Sequence, residues 1–315
     1  MTKLKLSVHM EPGKPVWQAY EHWSELIHQK SEGIIKIEME PSGFVGIEEW
    51  DMLRANHSDL GRIFTLEMNP FPMHIVPALP YVMPDSGENL SILNSIFDKY
   101  LYKEWRDVKV LWLGLMSPYH LHTAKKAVRR LEDLQGMKLH ASGLAAELAS
   151  AWGASPTSIF SHDGTARLDM RSILYNGLRN GEIAGALSSF ELTRDFQLYD
   201  VTHYHTYLNV IRDVNATAMN LKVWDSLAAD IKKIFEEINA WAQREFDQAQ
   251  KDESNQARDL LIQKGHEIIE LPEEEFRRWK TAARAVADEN IRRLESQGLP
   301  ATAMASEIQC LTKGK

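Results

Sequence analysis

Cysteine is nearly absent: Cys310 is the only one in 315 residues. No intrachain disulfide can therefore form, and a site built from several thiolates is excluded. Long apolar runs are missing as well. Nothing approaches the roughly 18 residues that cross a bilayer, and the N-terminus lacks the apolar segment of a secretory signal, which taken literally reads as cytoplasmic. Positive charge is in deficit, with 36 Lys and Arg against 44 Asp and Glu and a formal net charge of −8. Proteins that grip phosphate backbones concentrate Lys and Arg on one face, so nucleic acid is not an expected partner. Catalytic signatures are lacking too: there is no nucleophile elbow, Walker loop, dinucleotide glycine fingerprint or zinc-protease helix. His266-Glu267-Ile268-Ile269-Glu270 opens like a metalloprotease motif but has no second histidine four residues on. An enzyme is not the expected class, although scattered residues can still assemble a catalytic site.

What remains is ordinary globular material, 44% hydrophobic and 25% charged, long enough for two lobes with separate cores. Leu4, Leu6, Val8 and Met10 alternate and predict a half-buried strand. Val16, Tyr20, Trp23 and Ile27 then follow the helical period, and Ile35, Ile37 and Met39 alternate again before Pro41-Ser42-Gly43. This β-α-β opening points to a mostly parallel sheet. Val108 to Leu115 and Met137 to Ala141 are further strand candidates. Between Lys222 and Lys264 there is neither Pro nor Gly, and Leu227, Ile231, Ile234, Ile238 and Trp241 recur every three or four residues. That pattern predicts one very long helix or two nearly continuous ones. A last helix is expected from Pro272, with Glu273, Glu274 and Glu275 at its positive end, to Gly298, its stripe of Phe276, Trp279, Ala283 and Val286 being core.

Several segments, in order along the chain, carry a resemblance. Leu131-Glu132-Asp133-Leu134-Gln135-Gly136-Met137-Lys138-Leu139-His140 is followed by Trp152-Gly153-Ala154-Ser155-Pro156-Thr157 and then by Tyr175-Asn176-Gly177-Leu178-Arg179-Asn180-Gly181-Glu182-Ile183-Ala184-Gly185. Met219 to Leu227, Gly43 to Gly46 with Glu48, Asn56 to Asp59 and Leu79-Pro80-Tyr81 add weaker pieces. Together they resemble the solute-binding proteins of TRAP transporters, the DctP family. The resemblance implies a two-lobed α/β periplasmic binding protein, each lobe a mixed sheet flanked by helices, bridged by a long helix, with a ligand cleft between the lobes. The expected division is 1–117 plus 214–253 for lobe 1 and 118–213 plus 254–315 for lobe 2. It also implies a monomer in the periplasm, with no catalytic activity and no cofactor, that delivers a small solute to membrane permease subunits.

The pocket departs from the family pattern. Where the family carries an Arg that grips a carboxylate as a two-pronged fork, this chain has His140, and a second Arg of some members corresponds to His120. A usual Asn corresponds to Ser188. A neutral imidazole offers one donor and one acceptor in place of a fixed cation. The favoured expectation is therefore a non-carboxylate solute such as a small amine, alcohol or polyol. The alternative is an organic acid held by charged His140 and His120 or by a basic residue in 158–171, a stretch containing His162, Asp163, Arg167, Asp169 and Arg171. Tyr175, Ser188, Phe190, Trp17, Glu11, Glu67 and Tyr207 complete the candidate ligand contacts, each with a competing reading as a core or solvated residue. His120-Leu121-His122 and His203-Tyr204-His205 could each place two imidazoles on one strand face, which keeps a metal-binding protein or enzyme as the competing class; hydrogen-bonded or surface histidines are the plainer reading.

Overall fold

A computed structural model describes residues 1–8, 12–41, 47–65, 70–84, 89–157 and 170–313. The chain first forms β1 (Thr2–Val8), α1 (Pro15–Lys30), β2 (Ile35–Pro41), α2 (Ile47–Arg54), β3 (Leu60–Phe64), α3 (Ile75–Ala78), α4 (Asn89–Ile96) and β4 (Val108–Leu115). It continues through β5 (Tyr119–Thr123), β6 (Lys138–His140), α5 (Gly143–Ala151), β7 (Ser155–Thr157), α6 (Met170–Asn180), β8 (Gly185–Ser188), α7 (Phe190–Asp195) and β9 (Tyr204–Val210). It ends with β10 (Val214–Asn220), α8 (Leu221–Ser226), α9 (Ala229–Gln263), β11 (Glu267–Glu270), α10 (Glu273–Ser296) and α11 (Ala301–Lys313).

These strands make two sheets and two lobes. The first has the order β2-β1-β3-β10-β4 and the second β11-β9-β5-β8-β6-β7. Each has one reversed strand: β10 is antiparallel to β3 and β4, and β5 is antiparallel to β8 and β9. β10 and β5 are also the strands that directly follow the two short crossovers, Ile211–Asp213 and Met116–Pro118. The predicted β-α-β opening is present, with β1 and β2 parallel neighbours joined by α1. Pro15 fixes the first turn of α1, where a missing N–H costs nothing.

Both faces of the first sheet are covered. Tyr20, Trp23, Phe235 and Phe246 pack on one side and Trp50, Phe71, Ile92 and Met304 on the other. In the second sheet Leu121, Leu139, Leu187 and Leu208 share one core with Leu148 and Trp279. The opposite face is far less apolar. Strand register puts His140, Ala186, His122 and His205 in one row across four neighbouring strands, since directly opposed residues share a face. Ser188 and His120 stand opposite each other in the adjacent row. Gly185 is required where β8 passes β5, because a Cβ there would lie 2.4 Å from the His122 carbonyl oxygen.

The long helical region breaks once, at Leu227 and Ala228, whose ψ values of 142° and 154° are extended. α9 then runs through both lobes: Ile231, Phe235 and Phe246 join the first core, whereas Ala257 and Leu261 pack on Phe190 in the second. One expectation fails in detail. Residues 254–315 are expected in lobe 2, yet α11 buries Ala301, Met304 and Ile308 against Trp50, Ile92 and Leu113 of the first core. The turn after Ser296, with Gly298 at φ +78°, sends the chain back to the lobe in which it began.

Candidate functional site

A cavity of about 370 Å³ opens where the lobes meet, lined by Met116 and Arg212 of the crossovers, His120 and Tyr207 of the second sheet, Phe190 of α7, and Gln250 and Arg258 of α9. A neighbouring cavity of about 490 Å³ shares Tyr207 and Arg212 and extends between Tyr81, Phe276 and Lys280. Asp247, Lys251, Ser254 and Arg258 face the first cavity at spacings of four, three and four residues, a polar stripe along one side of α9.

His120 does structural work here. The β5–β9 ladder shifts register between Tyr119 and Leu121, and Asn209 in this irregularity has φ +51°. A bulge of this kind leaves backbone N–H groups without strand partners. Both are satisfied by one side chain: Leu208 N–H and Asn209 N–H donate to His120 Nδ1 at 3.2 and 3.3 Å. Nδ1 is therefore the bare nitrogen and Nε2 carries the hydrogen. Burial, together with His122, Arg212 and Arg258, holds the imidazole neutral, well below its ordinary range. Its ring lies against Phe190, with centroids 4.3 Å apart, and stacks on Tyr207 at 4.7 Å. The Arg258 guanidinium also lies over the Tyr207 ring, 5.6 Å from its centroid. Asn209 in turn accepts a 2.8 Å hydrogen bond from Arg212, so the bulge that His120 stabilises also steers a cavity arginine.

The remaining histidines form a chain. His122 Nε2 donates to the Ser188 carbonyl at 3.0 Å, His122 Nδ1 meets His205 Nδ1 at 2.8 Å, and His205 Nε2 meets His266 Nδ1 at 2.9 Å. With every ring neutral, one hydrogen per link fits throughout: His205 donates to His122, and His266 donates to His205. Burial pushes His122 down to about 4, and burial with its imidazole neighbours pushes His205 down to about 2. The hydrogen-bonded reading of the His-x-His pairs thus accounts for His122 and His205, while His203 is exposed just before β9. Among the described residues no three metal-ligating side chains converge.

The structure brings His120, Phe190 and Tyr207 together at one cavity and leaves other sequence candidates elsewhere. His140, buried at the end of β6 and held below its usual range chiefly by burial, is not part of the cavity wall. Burial thus opposes the reading in which His120 and His140 are charged. Ser188 is strand-paired with His120, but its Oγ is buried and has no hydrogen-bond partner among the described residues. Tyr175 lies on α6 against Leu174, Leu178 and Ile183. Trp17 belongs to the first core, 6% exposed, with its indole N–H donated to Glu21 one turn on. Glu11, Glu67, His162, Asp163, Arg167 and Asp169 lie outside the described residues; Arg171, on α6, hydrogen-bonds Gln197. Arg212 and Arg258 went unnoticed in sequence. The polar stripe on α9 is the signal that could have found Arg258; Arg212 has only its place between two strands.

The comparisons agree with this architecture. The family model for bacterial extracellular solute-binding proteins, family 7 (DctP), matches residues 6–293. A TRAP solute-binding protein from Rhodoferax ferrireducens T118, in complex with copurified benzoate, superposes with a TM-score of 0.85 at 20% identity, covering 99% of this chain and 97% of that one. One from Bordetella bronchiseptica with bound (R)- and (S)-mandelate gives 0.82 at 18% identity, with 98% of each chain covered. One from Roseobacter denitrificans with β-D-glucuronate gives 0.80 at 14%, covering 98% and 99%. Proteins of this kind are periplasmic, bind small molecules and work with membrane permease subunits. Family and fold are those of transport receptors, not enzymes. The chain belongs to the DctP family of extracellular solute-binding proteins, the extracytoplasmic receptor component of TRAP transporters.

Proposed function

We propose that this receptor captures a small organic acid with a ring-shaped body, gripping its carboxylate with Arg212 and Arg258. The carrying observation is the set of cations on the cavity wall: among the described residues Arg212, Arg258 and Lys251 face it beside one carboxylate, Asp247, which is ion-paired to Lys251 at 2.6 Å, while Arg258 also lies 3.6 Å from Glu270 of the neighbouring cavity. Arginine presents a planar fork matched to a carboxylate, and Tyr207 and Phe190 give the same wall apolar carbon. His120 adds an Nε2–H that donates to none of the described residues. The benzoate, mandelate and glucuronate of the structural relatives support this choice, and the volume suits one small molecule. It replaces the missing family arginine with cations from the crossover and from α9, and so turns from the non-carboxylate solute favoured by sequence.

In this reading the first sheet with α11 forms one jaw and the second sheet with α10 the other, a monomer closing by rotation about the crossovers and offering both jaws to the permease. A thermal-shift panel of benzoate, mandelate and glucuronate, each beside a neutral or cationic counterpart (benzyl alcohol, glucose, benzylamine), tests the solute class. A ligand that binds only the folded state raises the melting temperature by mass action. Shifts confined to acids support the proposal. Shifts with the alcohol, sugar or amine alone would return the solute to the non-carboxylate class.

A further inference from the structure

Arg62 is a buried cation that forms no ion pair among the described residues. It sits on β3 opposite Thr217 of β10, on the face that Leu60 and Phe64 also occupy, and is only 4% exposed. Its Nε donates to Asn215 Oδ1 at 3.4 Å, and its Nη2 donates to Gln250 Oε1 at 3.0 Å and to Met116 Sδ at 3.3 Å. The guanidinium also lies 5.1 Å from the Phe64 ring centroid. All of these partners are neutral, Nη1 donates to none of the described residues, and no ion pair to Arg62 exists among them. Glu49, a buried carboxyl that feels its charge, forms no ion pair with it, and burial pushes that carboxyl well above its usual range. Stripping a guanidinium of water without a counter-charge costs several kcal/mol in proteins, so it persists where something else stabilises it.

Two of the groups that hold it, Met116 and Gln250, are walls of the inter-lobe cavity. Gln250 is locked between lobes: its Oε1 accepts from Arg62, and its Nε2 donates to Ser117 Oγ at 3.1 Å and to Glu191 Oε1 at 3.2 Å. We propose that Arg62 is a specificity-determining residue of the first lobe, whose missing counter-ion is the anionic group of the solute. This rests on the acid reading above and deepens it: Arg212 and Arg258 approach from the crossover and α9, and Arg62, mid-way along β3 of the other lobe, stands behind Met116 and Gln250 of the wall. An acid would then bind both jaws, whereas a neutral analogue of the same shape would leave the buried charge as it is.

Arg62→Met removes the charge at similar length, and Arg62→Lys keeps it while losing the fork. Each is melted without ligand and titrated calorimetrically with whichever of benzoate, mandelate and glucuronate shifts the wild type most. The expected results are a ligand-free melting point for Arg62→Met raised by about 2 °C or more, an acid affinity lowered at least tenfold, and an intermediate affinity for Arg62→Lys. Wild-type affinity in either variant, with a lowered melting point, means that Arg62 only braces β3 and Gln250; it overturns this inference and leaves the acid reading standing. Should none of the three acids shift the wild type, the acid reading itself fails and takes the inference with it. If Arg62→Met does not fold, the Arg62→Lys affinity decides.

Discussion

The Nδ1 atoms of His122 and His205 stand 2.8 Å apart across the β5–β9 pair, and only one of them can hold the hydrogen between them. Protonating His122 would set two N–H groups head to head, and His205 is committed at both nitrogens. Their folded pKa values, about 4 and about 2, lie below the ordinary value near 6.5. As pH falls, the unfolded chain therefore takes up these protons first. Stability should be whole above about pH 6.5 and decline as pH falls toward 4, by on the order of 2 kcal/mol per imidazole between pH 7 and pH 5. Urea titrations across this range check it. His205→Phe should flatten the profile, and an unchanged slope in that variant would show that the chain is not its source.

Replacing His120 separates its backbone role from its surroundings. His120→Phe preserves a ring against Phe190 and Tyr207 but leaves two bulge N–H groups without an acceptor, which should cost about 2 to 4 kcal/mol in chemical denaturation. Nitrogen NMR should show Nδ1 bare and Nε2 protonated at neutral pH. His140→Ala, outside the cavity wall, should change solute affinity by far less than His120→Phe. Equal losses would return His140 to the site.

Two glycines make a contrast in close packing. At Gly185 a Cβ would meet the His122 carbonyl oxygen at 2.4 Å and Thr123 Cγ2 at 2.9 Å, both on the partner strand. At Gly153 the clash is with the flexible Gln135 amide, and the cost there is chiefly that of φ +89°. Gly185→Ala should lose about 2 kcal/mol or more, and Gly153→Ala about 1. Melting curves that rank them the other way would mean that β8 shifts freely past β5.

Much of the fold was legible because local pattern and tertiary fate agree. Val108 to Leu115 reads as a strand and is one, and Lys3, Lys5 and Ser7 alternate with buried Leu4, Leu6 and Val8 as the period requires. The break at Leu227 and Ala228 was not fixed by sequence, since neither residue disfavours a helix. The site was less readable. His205 and His266 are 61 positions apart, and only the parallel pairing of β9 with β11 brings them together. His120 lines the inter-lobe cavity, yet its acceptor is spent on a bulge that no periodicity reveals. Arg62 sits in a strand whose neighbours are core residues, where a charge reads as solvent-facing until the helices above it are known.

α9 carries 35 residues without interruption from one core into the other, about 50 Å at the usual rise per residue. The crossovers are three residues each and are tied to each other by the Met116 N–H to Asp213 carbonyl and Tyr119 N–H to Ile211 carbonyl hydrogen bonds, and this helix is anchored by Phe235 and Phe246 at one end and by Ala257 and Leu261 at the other. Bringing the jaws together must therefore flex a stiff rod or twist it about its long axis. In the proposed closure, the amplitude of the motion and the elastic energy that a bound solute offsets would be set by α9, a leaf spring rather than a backstop.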